Sequence, residues 1–476
     1  MHCKQIRILG WDVRLKLRGM LLMSHLPRVQ FFSNNPKLDE GFFWATQQAR
    51  KYIKQNSAVG LWYEAALPGR NAFCMRDTAH QQVGAAVLGL SSHTVNMLQH
   101  FARSISASRQ WCGYWEIDQD GLPCVVDYRD DDHFWYNLPA NFDLLSAAIR
   151  EYLWSGDRKL VSDSALRYFY QSTVTQYVSA WDKNGDGVPE HYPKYGTRGL
   201  GSYNEGTVGM EASVGLDLLA YQHACYRNFA YFIRLTGGGA LEGICQQGAK
   251  TTLAQLEEEW WDTNSEQYHS IRLADGSFSK AYVDELQVHL LRSNIVLDPK
   301  RRAKTLDLVE QIKAPNVETA SYIPETLYLY SRNQAAYRWL NYLIAPNLNR
   351  REYPEVSFAV VGAVTTGLMG ISINSVSNTV MTQPRLPREL DQAELKHVPI
   401  YSGWLNIQHQ GNRCTELSYE GEIPLYWQVC FPGKVEMCRT NNRMISPFYI
   451  EGLSEEAWSC VIVRVDSGQT VLVETD

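Results

Sequence analysis

Four carboxylates stand in settings that suit proton transfer. Glu205 lies in SYNEGT, directly after Tyr203 and Asn204, whose side chains offer it hydrogen bonds. Glu190 lies in GDGVPEHY, in an open, glycine-rich loop. Glu355 follows Pro354 in EYPEVSF, and Asp77 follows Arg76 in MRDTAHQ. Paired carboxyl groups break glycosidic bonds when one holds a proton for the leaving oxygen and the other stays ionised to activate water or attack the anomeric carbon. The pair stands ~6.5–9.5 Å apart in an inverting site and ~5–5.5 Å apart in a retaining one. Aromatic residues accompany the acids, namely Trp115, Trp135, Tyr136, Tyr203 and Tyr353. Such rings stack on sugar faces or fill a core equally well.

Helices must position these groups. Between residues 38 and 372, apolar residues recur with a helical period in about twelve segments. Among them are Arg76–Leu90, Leu138–Trp154, Glu205–Leu235, Asp284–Ile295, Tyr322–Ser331 and Glu355–Ile371. A long loop precedes every second segment. Those second segments are the more apolar ones, as in VGAAVLGL and VVGAVTTGLMG, whereas PKRRAKTLDLVEQI has a charged face. Alternation of this kind predicts an inner ring of six helices inside an outer ring of six, with the loops that lead into the inner helices opening at one end. The acids fall at that end: Asp77 beside Arg76, Asp132 with His133, Glu205, Asp284 and Glu285, Glu318 and Glu325, and Glu352 with Glu355. Helix capping and the helix dipole favour Asp and Glu in any first turn, so each acid also has an ordinary explanation.

After residue 375 the pattern changes. MTQPRLPREL reads as a linker, and runs such as WLNIQHQ, LYWQVC and SCVIVRV alternate like antiparallel strands. The expected domains are an N-terminal segment, 1–37, that is a remnant of an upstream region, a helical domain, 38–375, and a β domain, 376–476. The net charge of −6 has no basic tract behind it, which gives nucleic-acid binding little support. No apolar run is long enough to span a bilayer. The basic N-terminal stretch with GMLLMSHL is too short and interrupted to read as a signal peptide. The chain therefore reads as cytoplasmic as it stands, and as periplasmic or secreted if the N-terminus is truncated. The ten Cys show no metal-ligand spacing and read as buried thiols rather than as a disulfide frame. Asp182, Asn184 and Asp186 in DKNGDG match the first half of a calcium loop, but its twelfth position is Pro193; turn chemistry is the alternative to a structural calcium. If calcium binds there, Glu190 becomes a ligand and is excluded as an acid.

With these motifs in view, the chain resembles the six-hairpin (α/α)6 glycoside hydrolases, notably α-L-rhamnosidase-type and glucoamylase-like catalytic domains. The resemblance spans residues 40–476. It rests on ETLYLYSRNQAAYRWLNYLI followed by EYPEVSFAVVGAVTTGLMGI, on MRDTAHQ, and on GDGVPEHY. The chain lacks the rhamnosidase-type Asp-Cys-Pro and the Trp-Glu-Arg-Trp before the last helix. The resemblance implies a mainly α fold, an (α/α)6 toroid with a small C-terminal antiparallel β-sandwich. It implies exo-acting, inverting hydrolysis of a carbohydrate with no required cofactor. It also implies Glu205 or Glu190 as acid and Glu355 or Glu352 as base. Asp77, with Arg76, reads as a sugar clamp or as the acid itself. Trp135, Tyr136 and Tyr203 would face sugar, with Asp132, His133 and Glu325 near them. Two rival readings stand: a polysaccharide lyase using His133, Tyr136 and Arg129, and a non-catalytic carbohydrate-binding protein.

Overall fold

The computed structural model describes residues 28–475 apart from Ala314 and Asn442. Residues 1–27 of the expected N-terminal segment lie outside the described residues. The chain opens with strand β1, Gln30–Ser33, and helix α1, Pro36–Lys51. Asn35 caps that helix by accepting Lys37 N at 3.1 Å, and Pro36 pre-sets its first turn. A short strand β2, Ala72–Cys74, leads into α2, Met75–Val87, and then α3, Ser91–Ser104. Strand β3, Glu116–Asp118, precedes α4, Pro139–Ser155. Helix α5 starts at Ser164–Ser172, widens through a π turn at Thr173–Tyr177 and ends at Val178–Trp181. There follow α6, Leu216–Leu235, α7, Ala240–Glu259, α8, Asp284–Arg292, α9, Pro299–Glu310, α10, Val317–Leu329, and α11, Asn333–Ile344. Helix α12, Pro354–Gly362, is prolonged by a π turn, Ala363–Leu368.

The even-numbered helices pack in cyclic order: α2 on α4, α4 on α6, α6 on α8, α8 on α10, α10 on α12, and α12 back on α2. They are buried on nearly all sides, and every residue of Pro354–Gly362 is buried. The odd-numbered helices lie outside them and bury one stripe each; α9 buries only Thr305, Leu306 and Val309. Where α2 crosses α12, a Cβ on Gly84 would lie 2.2 Å from the Phe358 carbonyl oxygen, so the ring closes at this point only with glycine.

Two boundaries differ from the periodicity. Helix α6 begins at Leu216 rather than at Glu205, because the glycines ahead of it hold a tight irregular loop; Gly215 N meets Gly201 O at 2.6 Å. Helix α10 begins at Val317, capped by Asn316 through Thr319 N at 2.6 Å, so Tyr322 lies inside the helix rather than at its start.

Two sheets follow. Their strands are β4, Ile371–Asn374, β5, Thr379–Thr382, β6, Gln392–Ile400, β7, Gly403–Gln410, and β8, Cys414–Gly421, then β9, Leu425–Pro432, β10, Cys438–Thr440, and β11, Arg443–Ile445. The last three are β12, Phe448–Glu451, β13, Ala457–Val465, and β14, Thr470–Thr475. One sheet has the order β1-β6-β7-β8-β14-β10-β11, and the other β4-β5-β9-β13-β12. The N-terminal strand β1 thus forms an edge of the C-terminal sheet, with Phe31 opposite Leu395. The sheets join the helices through one continuous apolar core and through fixed polar contacts. His409 Nε2 meets Met369 O at 3.0 Å, and Trp154 Nε1 donates to Pro399 O at 3.0 Å.

The cysteine expectation needs one correction. Cys430 and Cys460 face each other across β9 and β13 and form a disulfide. Sequence spacing is blind to this pairing, which depends on strand register. Cys74, Cys112, Cys124, Cys225 and Cys245 are buried thiols.

Gly84→Ala is expected to destabilise the protein by about 1–3 kcal/mol through overpacking against the α12 backbone. Urea unfolding followed by tryptophan fluorescence measures it, and an unchanged midpoint would contradict the close crossing of α2 and α12.

Candidate active site

The starts of the even-numbered helices meet at one end of the ring. Strand β2 pairs with β3, Cys74 opposite Glu116, and Met75 N donates to Trp115 O at 3.0 Å. This pairing ties the loop before α4 to the first turn of α2. Arg76 in that turn is the hub. Its guanidinium lies 3.3 Å from Asp77, 3.3 Å from Glu205 and 3.8 Å from Glu318. It also lies 5.8 Å from the ring centres of both Trp115 and Tyr203. First turns supply most of the surrounding acids: Asp77 from α2, Asp217 from α6, Glu285 from α8, Glu318 from α10 and Glu355 from α12.

Burial sets the protonation of this group. Asp77 is pushed up to about 7 by desolvation, even with Arg76 drawing it down, and Glu318 adds to the rise. Glu355 is raised further above the usual carboxylate range, first by desolvation and then by the charges of Asp77 and Glu318. Its side chain is 4% exposed and its Oε2 has no hydrogen-bond partner. The sequence reading has the helix dipole keeping Glu355 ionised; the structure reverses this, because first-turn dipoles are worth only ~0.3–1 kcal/mol at the surface whereas full burial moves a carboxyl by several units. Asp77 and Glu355 therefore lie in each other's field, each raising the other, and the Arg76 guanidinium eases the rise at both.

A second buried carboxyl pair adjoins this one. Glu116 is pushed up to about 7 by desolvation and by its hydrogen bond with Asp127, and Arg70 Nη1 donates to it at 2.8 Å. Asp127 is raised too, chiefly by desolvation. Glu205 is raised by desolvation against Arg76, but its side chain is 41% exposed, so solvent screens it far more than Asp77 or Glu355. It stands on the loop before α6 and outside that helix's first turn, where the sequence reading puts it.

The other expected residues divide. Tyr203 reaches the cluster and is fixed there, with its N–H on Asp217 Oδ2 at 2.6 Å and its hydroxyl on Asp143 Oδ2 at 3.4 Å. Glu190 is corrected: buried itself, it accepts from Lys183 N, Asn184 N, Asn184 Nδ2 and Tyr192 Oη, so both its oxygens shape the exposed loop before it. Asp132 and His133 sit on an exposed hairpin, Asp132 with Arg198 at 3.4 Å and His133 with Asp130 at 2.8 Å. Tyr136 is a core residue bonded to Asn141, and Trp135 is half-buried against the core. Glu325 is buried deeper in the ring, where Arg292 at 2.6 Å holds its carboxyl down against the effect of burial. Glu352 meets Tyr52 through its backbone oxygen. Asp182, Asn184 and Asp186 accept backbone amides of Gly185, Gly187, Asp186 and Val188, and Asp186 also pairs with Arg272 at 2.8 Å. These are turn contacts, and among the described residues no group of His, Cys, Asp and Glu is arranged to hold a metal ion. Glu116, Asp127 and Asp217 escape a search for acids at expected helix starts, because two of them lie outside helices and the third heads a helix whose start falls later than its periodicity predicts.

No family model and no curated protein matches the chain. Solved structures do. A GH78 family rhamnosidase of Bacillus sp. GL1 superposes with a TM-score of 0.60 at 13% identity, over 83% of this chain and 41% of its own. An α-L-rhamnosidase from Dictyoglomus thermophilum gives 0.59 at 14% identity, over 94% of this chain and 50% of its own. A glycosidase in complex with glucose gives 0.50 at 12% identity, over 69% of this chain and 96% of its own. The chain thus spans about half the length of the two rhamnosidases, and at these identities what it shares with all three is the fold. No helix among the described residues is long and apolar enough to cross a membrane.

Stability follows from the raised carboxyls. Asp77, Glu116 and Asp217, each pushed up to about 7, bind protons in the native state that the unfolded chain has released by then. The share of stability these three contribute is lost as pH rises from ~4, the unfolded carboxyl range, through about 7, while His93, His223 and His409, drawn down to about 4 by burial, act in the opposite sense over the same window. The difference in calorimetric melting temperature between wild type and Asp77→Asn isolates the Asp77 share; it is expected to change across that window, and a difference independent of pH would contradict it.

Proposed function

We propose that the protein is an exo-acting glycoside hydrolase whose ring of helices is an (α/α)6 toroid capped by a small β-sandwich. The observation that carries the reading is the Asp77–Glu355 pair: two carboxyls in the first turns of neighbouring helices, both raised by desolvation, near Arg76 at the mouth of the ring. Buried acids in this state lower stability, which a protein that only binds sugar has no need to do, while acid catalysis requires one. Glu355 serves as the general acid and protonates the leaving oxygen. Asp77, held ionised by Arg76, activates water. Glu205 and Glu318 accept hydroxyls of the terminal sugar, and Trp115 and Tyr203 wall it in. Inversion is our assignment, in keeping with the resemblance to six-hairpin enzymes. The rhamnosidase likeness of fold makes α-L-rhamnosides the first substrates to try.

The lyase reading has less support. Its base would need a cation to neutralise a uronate, yet Arg76 already faces three carboxylates. Arg129 and His133 both pair with Asp130 on the exposed hairpin, and Tyr136 is buried in the core.

The test is a panel of nitrophenyl glycosides, α-L-rhamnoside included, with Glu355→Gln and Asp77→Asn as variants. Each variant is expected to lose roughly 10²–10⁴-fold in kcat on a natural disaccharide. Glu355→Gln is expected to keep most activity on glycosides with good leaving groups, which need no proton, whereas Asp77→Asn loses it on both. The opposite pattern exchanges the two roles. Full activity in both variants, or an unsaturated product absorbing in the ultraviolet, overturns the hydrolase reading.

A further inference from the structure

A cavity of about 970 Å³ lies away from the mouth, where the helices meet the seven-stranded sheet. Helix α2 links the two places. It carries Arg76 and Asp77 at its start and lines this cavity from its end, Val87 to Leu90, about 20 Å away at 1.5 Å per residue. One wall is basic. Arg50 of α1, half-buried, and Arg28 both line it, and neither has an ion pair among the described residues. Desolvation, and then the charge of Arg28, draw the Arg50 guanidinium down. His93, only 1% exposed, stands in the same wall with neither ring nitrogen hydrogen-bonded, and burial draws its imidazole down to about 4. The sheet supplies Tyr401 and Trp404, both half-buried. Glu420, the cross-strand partner of Trp404, and Glu422 also line it, both exposed.

We infer that this cavity is a second carbohydrate site that takes a sugar with a single carboxylate, a uronic acid residue. The carboxylate pairs with Arg50 and Arg28, whose planar forks suit it. The ring face stacks on Trp404. The hydroxyls donate to Glu420 and Glu422, and those acids repel a ligand with a second negative group on that side. This site is independent of the mouth, where carboxylates outnumber cations and a uronate would meet like charge. Its function is to hold a charged residue of a larger saccharide apart from the reacting end.

Isothermal titration of the full chain with D-galacturonate and D-glucuronate, against galactose, glucose and glucose 6-phosphate, tests it. A uronate is expected to bind more tightly than its neutral counterpart, and the difference shrinks with added salt. Arg50→Gln is expected to weaken uronate binding about tenfold and Trp404→Ala to a similar degree, each keeping the wild-type melting temperature. Asp77→Asn keeps uronate binding, which separates this site from the mouth whether or not the mouth proves catalytic. Absent binding, equal binding of the neutral sugar, or wild-type affinity in Arg50→Gln overturns the site. Binding of glucose 6-phosphate as tight as that of the uronates overturns the carboxylate assignment.

Discussion

One half-buried guanidinium organises the mouth of this protein. Arg76 sits between two aromatic faces and within 4 Å of carboxylates from α2, from the loop before α6 and from α10. A cation taken out of water needs such partners, and the carboxylates need it in turn, because without it Asp77, Glu205 and Glu318 would be like charges in one space. The arrangement is mutual and can form only when the ring of helices is closed. It is also incomplete. One cation does not compensate all the acids around it, and with desolvation this raises Asp77 to about 7 and lifts Glu355 well above the usual carboxylate range.

The same balance explains why the dipole of α12 does not decide the state of Glu355. A first-turn acid at a solvated helix end gains from the dipole and stays ionised. Glu355 heads a helix whose every residue through Gly362 is buried, and it faces Asp77 and Glu318 across the mouth. Desolvation and like charge then act in the same direction. The close crossing at Gly84 and Phe358 brings α2 and α12 together and so helps to bring Asp77 and Glu355 within each other's field. Backbone packing and site chemistry are in this way one constraint.

Helical period and capping were readable along the chain. Asn35, Pro36, Asp298 and Pro354 mark helix starts by chemistry that acts within a few residues. The alternation between helices apolar all round and helices with one charged face foretells which lie inside. Arg76, Asp77, Glu205, Glu355 and Tyr203 were legible as neighbours at the mouth because each stands near such a start beside aromatics or turn formers. Glu190 was not, because its role depends on where the DKNGDG amides point. Glu116 was not, because it lies on a three-residue strand with no period to mark it.

The sequence by itself determined the helices, the residues buried on their faces and the stock of acids near their starts, since these follow from side-chain period and first-turn chemistry. Tertiary structure alone decided which acids meet Arg76, which raise one another and which only close a turn. It likewise decided that Gln30–Ser33 completes a sheet built from the far end of the chain and that Cys430 meets Cys460. The physical reason is that charge state and pairing depend on burial and on neighbours distant in sequence, and both come into being only when the ring and the sheets close.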